Sequence, residues 1–123
     1  MNWDTLKYIS LCMLQQYLLE TGDRIVCCTA QRMKTRVDFA EGQFKMVAGN
    51  IKQIEEMLNR AEYFRSHKSS LVRIIDITQV DYDERRIYFN KDVTAKLRAH
   101  SVEEMKFIMA NKENGQYNSF RLI

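Results

Sequence analysis

The 123-residue sequence contains no proline, four scattered glycines and two histidines. Without proline or any Gly- or Ser-rich stretch there is no linker to divide it. Its length suits one compact domain over 1–123 and is too short for two ordinary ones. No apolar run is long enough to span a bilayer, so no membrane association is expected. The N-terminus has no basic segment followed by an apolar run and a small-residue cleavage site, so a cytoplasmic location is the default expectation. The histidines, His67 and His100, form no H-E-x-x-H pattern and no cluster with cysteine, so no metal site is expected. Neither G-x-x-x-x-G-K-[ST] nor G-x-G-x-x-G occurs. Acidic residues are spread over turns and helix faces, as at Glu55-Glu56, Asp81, Asp83 and Glu103-Glu104, which suits solvated surface better than paired acid–base work. The expectation is no cofactor and no enzyme. Three cysteines are an odd count, and the adjacent Cys27 and Cys28 would face opposite sides of a strand. Buried free thiols are the expected outcome.

Apolar residues make up 46% and charged residues 28% of the chain, the balance of a folded domain. Strand patterns run over Thr5–Leu14 and Tyr17–Glu20, with Gln15-Gln16 as a hairpin tip. Further strands follow at Ile25–Thr29, Thr35–Phe39 and Gln43–Val47. Ile51, Ile54, Met57, Leu58 and Ala61 then repeat with helical spacing, with Asn50 as N-cap and Gln53 as its box partner. A strand at Leu71–Ile75, a hairpin of Gln79–Tyr82 with Arg86–Phe89, and a strand at Val93–Arg98 come next. Ser101-Val102-Glu103-Glu104 reads as a capping box for a short helix carrying Val102, Met105, Ile108 and Met109. A tail with Gly115, Tyr117, Phe120 and Leu122 ends the chain. The expected fold is mainly β: several short antiparallel sheets, one central helix and a short C-terminal helix.

A net charge of +3 fits nucleic-acid binding without requiring it. The positions of the basic residues say more. Arg32, Lys34 and Arg36 follow the Ile25–Thr29 strand. Arg65, His67 and Lys68, with Ser69 and Ser70, precede the Leu71–Ile75 strand. Lys96, Arg98 and His100 stand where a strand hands over to a helix. Basic and hydroxyl side chains at such edges can reach phosphate oxygens and base edges. Ordinary solubilising charge on loops is the alternative, which would suit a protein-interaction module on a small β scaffold. A single-strand or RNA binder would need exposed aromatics for stacking, and most aromatics here fall at expected core positions.

Tyr63-Phe64-Arg65-Ser66-His67-Lys68-Ser69-Ser70-Leu71-Val72-Arg73 resembles the signature of the LytTR DNA-binding family, F-x-R-x-H-[RKN]-S-[YF]-L-V-N. The surroundings match in order. Arg24–Thr29 resembles the family's D-I-[LM]-[YF]-[IF]-E strand, Arg36–Gly42 its second strand and turn, and Gly49-Asn50-Ile51 the opening of its helix. Leu97–Ser101 resembles the S-x-R segment before its last helix. The resemblance spans about Tyr8 to Met109 and is nearest to regulators of the accessory-gene-regulator type. Ser70 departs from the usual aromatic, Arg73 from asparagine, Thr29 from glutamate and His100 from arginine.

The resemblance implies the output domain of a bacterial two-component response regulator. Such domains read double-stranded DNA with loops that enter two successive major grooves. The family's three main loop positions fall on Lys34, Lys68 and His100, with Arg32 or Arg36 as substitutes for Lys34. Lys68 and Ser69 would meet one groove, and Lys34 or His100 the other. Arg98, Lys96 and Arg73 would meet phosphate, although Arg73 could equally pair with Asp76. Arg65 and His67 would support their loop from inside. A protonated His100 would add charge. The implied partners are direct-repeat promoter sites, a second copy on DNA, and a receiver domain or regulatory protein. The chain would be either an excised C-terminal half or a free-standing regulator.

Overall fold

The computed structural model describes residues 2–90 and 92–113; the expected tail and Lys91 lie outside them. At the N-terminus the expected hairpin is replaced by a short strand, β1 (Tyr8–Ser10), that runs directly into a helix, α1 (Leu11–Thr21). The cause is local. The Ser10 side chain accepts the Met13 N–H at 3.1 Å. Gly22, at φ 69°, closes the other end by donating to the Leu18 carbonyl. Leu11, Leu14 and Leu18 recur at helical spacing, and Leu14 and Tyr17 are buried. An apolar-rich segment satisfies both periods, and here the two caps favour the helix.

The rest follows the expected order with two corrections: the helix after Asn50 ends at Met57, leaving Ala61 in a separate short turn, and the polar stretch before Leu71 is itself a strand, because it pairs with the strand that follows. β2 (Ile25–Gln31), β3 (Lys34–Phe39) and β4 (Phe44–Ala48) form a meander. α2 (Ile51–Met57) starts in a complete capping box: Asn50 accepts the Gln53 N–H at 2.8 Å, and the Gln53 side chain accepts the Asn50 N–H at 2.9 Å. β5 (Tyr63–His67) and β6 (Ser70–Arg73) form a hairpin. β7 (Ile77–Asp81), β8 (Arg86–Phe89) and β9 (Thr94–Lys96) make a second meander, and α3 (Val102–Glu113) follows.

The larger sheet has six strands in the order β1-β4-β3-β2-β6-β5; the smaller has three, β7-β8-β9. Pairing is antiparallel except between β1 and β4, which run parallel. That pair departs from the all-antiparallel expectation. β1 reaches β4 only after α1 and the β2–β3 hairpin, the long crossover that parallel pairing requires.

The large sheet is a wall between two cores. Cys28, Val37 and Leu71 face one core, which α1, α2 and Trp3 cover. Cys27, Phe64 and Val72 face the other, which is closed by Ile77, Ile87 and Ala95 of the small sheet and by Met105 and Ile108 of α3. The two adjacent thiols therefore sit on opposite faces, as strand alternation requires. Both are free and buried; burial pushes Cys27 up to about 12 and Cys28 well above its ordinary value.

Candidate nucleic-acid interface

Three basic segments meet at one end of the large sheet, and the middle one is the β5–β6 turn. His67 pairs with Ser70, so Lys68 and Ser69 form the tip. Arg65 supports that tip from within. Its Nε donates to the His67 carbonyl at 3.2 Å, its Nη2 to the Lys68 carbonyl at 2.7 Å, and its Nη1 lies 3.5 Å from Glu55 on α2. The His67 Nδ1 accepts the Ser69 N–H at 3.1 Å and lies 2.8 Å from the Ser69 hydroxyl. That nitrogen therefore carries no proton. Burial, and then the positive charge of Lys96, Lys68 and Arg98, hold His67 below its ordinary pKa. The Lys68 side chain is exposed.

The neighbouring segments are bonded to this tip. On one side, Ala30 N–H donates to the Ser69 carbonyl at 2.9 Å, which docks the β2–β3 hairpin. That hairpin turns beyond the contact, with Arg32 in the left-handed region at φ 54° and Met33 91% exposed. Lys34 stands 5.0 Å above the Tyr8 ring, a cation–π brace that directs it along the sheet edge. On the other side, Arg98 N–H donates to the Ser66 carbonyl at 2.9 Å. The Ser66 hydroxyl donates to the Lys96 carbonyl at 2.7 Å, and the Ser70 hydroxyl accepts the Lys96 N–H at 3.3 Å. These two buried serines join the small sheet to the tip. Where the family pattern has an aromatic, the Ser70 hydroxyl here accepts a backbone N–H of the small sheet. His100 is exposed in the turn between β9 and α3, and the Arg98 Nε donates to the Ser101 hydroxyl at 2.7 Å.

Lys34, Arg32, Lys68, Ser69, Lys96, Arg98 and His100 are thus brought to one edge, and two other candidates are not. Arg36 lies back on β3, its Nη2 3.1 Å from Asp38 and its guanidinium 4.0 Å from the Phe44 ring centre. Arg73 is at the far end of β6 from the tip. It pairs with Glu62 at 2.6 Å and with Asp76 at 3.3 Å, the second of the two roles open to it, and Arg24 completes the group on Asp76.

A family model described as the LytTr DNA-binding domain matches residues 15–110. The chain belongs to the LytTr DNA-binding domain family. This is a family of DNA-binding domains, not of enzymes. The LytTr fold here is similar to the LytTr DNA-binding domain of a methyl-accepting/DNA response regulator from Bacillus cereus. The TM-score is 0.56 and the identity 16%, with 69% of this chain and 80% of that one covered. Among curated proteins no relative matches.

In this LytTr domain the β7–β8 turn adds a further part to the edge. A cleft beside the middle tip is lined by His67, Glu84, Arg85, Arg86, Lys96 and Arg98. Arg85 and Arg86 were expected only as a turn and the strand after it. The available signal was the basic doublet Arg85-Arg86 leaving a hairpin turn; its opposition to Lys96 appears only in the strand register. Among the described residues, no group of His, Cys, Asp and Glu side chains could hold a metal ion, and no helix is long and apolar enough to cross a membrane.

Proposed function

We propose that this LytTr chain, acting as one domain, binds a specific double-stranded DNA site with its three basic segments and serves as the output domain of a bacterial transcription regulator. The observation that carries this reading is the bonded array itself. The Lys68-Ser69 tip is hydrogen-bonded to the β2–β3 hairpin through Ala30 and to the β9–α3 segment through Ser66. A rigid array presents donors to a duplex with little ordering cost on binding. Tyr17, Phe39, Tyr63 and Phe64 are buried, and the exposed Tyr8 ring at this edge stands under Lys34, which leaves one ring rather than the row of rings that single-strand stacking uses.

In this reading Lys68 and Ser69 enter one major groove. Lys34 with Arg32, or His100 across the array, meets the next. Lysine and arginine donors favour guanine O6 and N7, and each good contact contributes about 1–3 kcal/mol of discrimination. Arg98 and Lys96 hold phosphate. Arg73 and Arg36 are left out of the contact set because each is held by carboxylate away from the edge. Direct-repeat sites would seat two copies, a receiver domain or separate regulatory protein would supply the signal, and the cytoplasm is the matching compartment.

The test is selection of bound duplexes from a random pool, followed by footprinting with Lys68→Ala beside the unaltered chain. The substitution is expected to weaken binding to the selected duplex by about 1–3 kcal/mol. A substitution that leaves binding unchanged overturns the assignment of the tip, and failure to select any duplex overturns DNA reading altogether.

A further inference from the structure

Arg86 on β8 stands directly opposite Lys96 on β9. The Lys96 N–H and carbonyl both bond away from β8, to Ser70 and Ser66. Its neighbour Leu97 bonds towards β8, donating to the Arg85 carbonyl at 3.0 Å. Arg86 and Lys96 are therefore a non-hydrogen-bonded pair, the kind in which Cα atoms approach to about 4.5 Å and side chains are closest. Arg86 and Lys96 are both exposed, while Ile87 and Ala95, the next pair along the two strands, are buried. Like charges placed opposite each other destabilise a sheet.

On its other side Arg86 stands opposite Asp81 of β7, but among the described residues the two form no ion pair. Arg24, Arg36, Arg65 and Arg73 each have a carboxylate within 3.5 Å. Among the described residues, Arg85, Arg86 and Lys96 form no such pair. Glu84, which lines the same cleft, does not reach them as an ion pair. Arg85 adds a further guanidinium at the turn, held at φ 54°, and Arg98 closes the opposite wall. A basic wall in which like charges face each other, and whose nearby carboxylates form no ion pair with it, is matched to an external polyanion.

We propose that the β7–β8 turn is a fourth DNA contact, in which Arg85 and Arg86, together with Lys96 and Arg98, clamp backbone phosphates of the duplex beside the bases met by Lys68. This rests on the DNA-binding reading above and extends it. Phosphate is favoured over bases because Arg85 and Arg86 are exposed and, among the described residues, no ion pair fixes their guanidinium planes, which suits charge neutralisation rather than bidentate reading. Ser66 and Ser70 tie the cleft to the middle tip on the side away from the β2–β3 hairpin, so the clamp lengthens the footprint on one flank only.

The test uses the full chain with Arg85→Asn, Arg86→Gln and Arg86→Lys. Asparagine tolerates the left-handed turn, and glutamine on β8 removes the like-charge pair, so the thermal midpoint of Arg86→Gln is expected to hold or rise. Affinity is measured across a salt series on a selected duplex, on a scrambled one, and on a selected duplex truncated on the cleft-side flank. Each neutral variant is expected to lower the slope of log affinity against log salt by about one. The loss should be the same factor on selected and scrambled DNA, should vanish on the truncated duplex, and should be restored by Arg86→Lys. An unchanged slope for both neutral variants, or a loss confined to the selected sequence, overturns the clamp. If Lys68→Ala still loses affinity in that case, only the clamp fails; if Lys68→Ala is also silent, the DNA-binding reading fails with it.

Discussion

The Arg65 guanidinium donates to the Lys68 carbonyl at 2.7 Å, beneath the residue assigned to the major groove. It also donates to the His67 carbonyl, so one planar fork holds two successive carbonyls of the tip. Arg65 is therefore predicted to govern binding without touching DNA. Arg65→Ala removes two charge-assisted hydrogen bonds, each contributing about 1.5–3 kcal/mol at most in a partly exposed setting, and loosens the tip. Affinity for the selected duplex is expected to fall at least tenfold, with the salt slope unchanged. Arg65→Lys should rescue little, because an ammonium cannot span both carbonyls in fixed geometry. Titrations of both variants across a salt series decide it: a slope lower by about one unit would mean that Arg65 itself meets phosphate.

Arg73 is predicted to behave in the opposite way. It stands at the other end of β6, between Glu62 and Asp76. Arg73→Leu leaves Glu62 without its partner and Asp76 with Arg24 alone. The expected cost is about 1–2 kcal/mol of stability, after discounting for solvent screening. Duplex affinity, measured well below the thermal midpoint, should not change. Loss of affinity without loss of stability would return Arg73 to the set of phosphate contacts.

Much of the edge was legible in the sequence because its determinants are local. Arg65, His67, Lys68 and the serines occur within one hairpin, and the Asn50–Gln53 box announces α2 three residues apart. The N-terminus was not legible, because Leu6, Tyr8, Ile9, Leu11 and Leu14 fit alternation as well as helical spacing, and the deciding features are the single caps Ser10 and Gly22. Long-range relations were equally hidden. No local pattern announces that β1 pairs with β4, or that Lys45 lies buried with its Nζ on the Trp3 and Leu6 carbonyls. The Arg86–Lys96 opposition depends on the register of two strands whose pairing the sequence suggests only in part. Arg36 shows a short-range relation of the same kind. It clusters with Arg32 and Lys34 in sequence, yet Asp38 two residues on draws it back over the sheet face.

His67 gives a pH dependence whose sign is set by its surroundings. Burial first, then Lys96, Lys68 and Arg98, lower its pKa in the folded chain relative to the ordinary value of about 6.5. The unfolded chain therefore takes up the proton more readily. Stability present above about pH 6.5 is lost as pH falls through that value towards the lower folded one. Protonation also removes the Nδ1 acceptor of the Ser69 N–H, so the tip should loosen over the same range. Thermal midpoints measured from pH 7.5 to 5 are expected to fall more steeply for the unaltered chain than for His67→Asn, whose Oδ1 can stand where Nδ1 accepts and does not titrate. Equal slopes for the two proteins would show that other groups govern the acid limb.

Gly49 joins the three elements beneath the first core. Its carbonyl accepts the Thr35 hydroxyl at 2.8 Å, and it directly precedes the Asn50 cap of α2. A Cβ at this position would lie 2.8 Å from Leu11 Cγ and 2.9 Å from Leu11 Cδ1, closer than carbon atoms pack. Space, rather than a left-handed backbone, is thus what requires glycine here, in contrast to Gly22 and Gly42, whose φ values are positive. Gly49→Ala is expected to cost about 1–3 kcal/mol by overpacking against the first turn of α1. The double variant Gly49→Ala with Leu11→Ala removes the clash, so the two losses should sum to more than the loss in the double variant, with a coupling of about 0.5–3 kcal/mol. Denaturant unfolding of the four proteins measures that coupling. Strict additivity would mean that the Leu11 contact is not the reason for glycine, and that α1 is positioned by its Ser10 cap and buried Leu14 and Tyr17 alone.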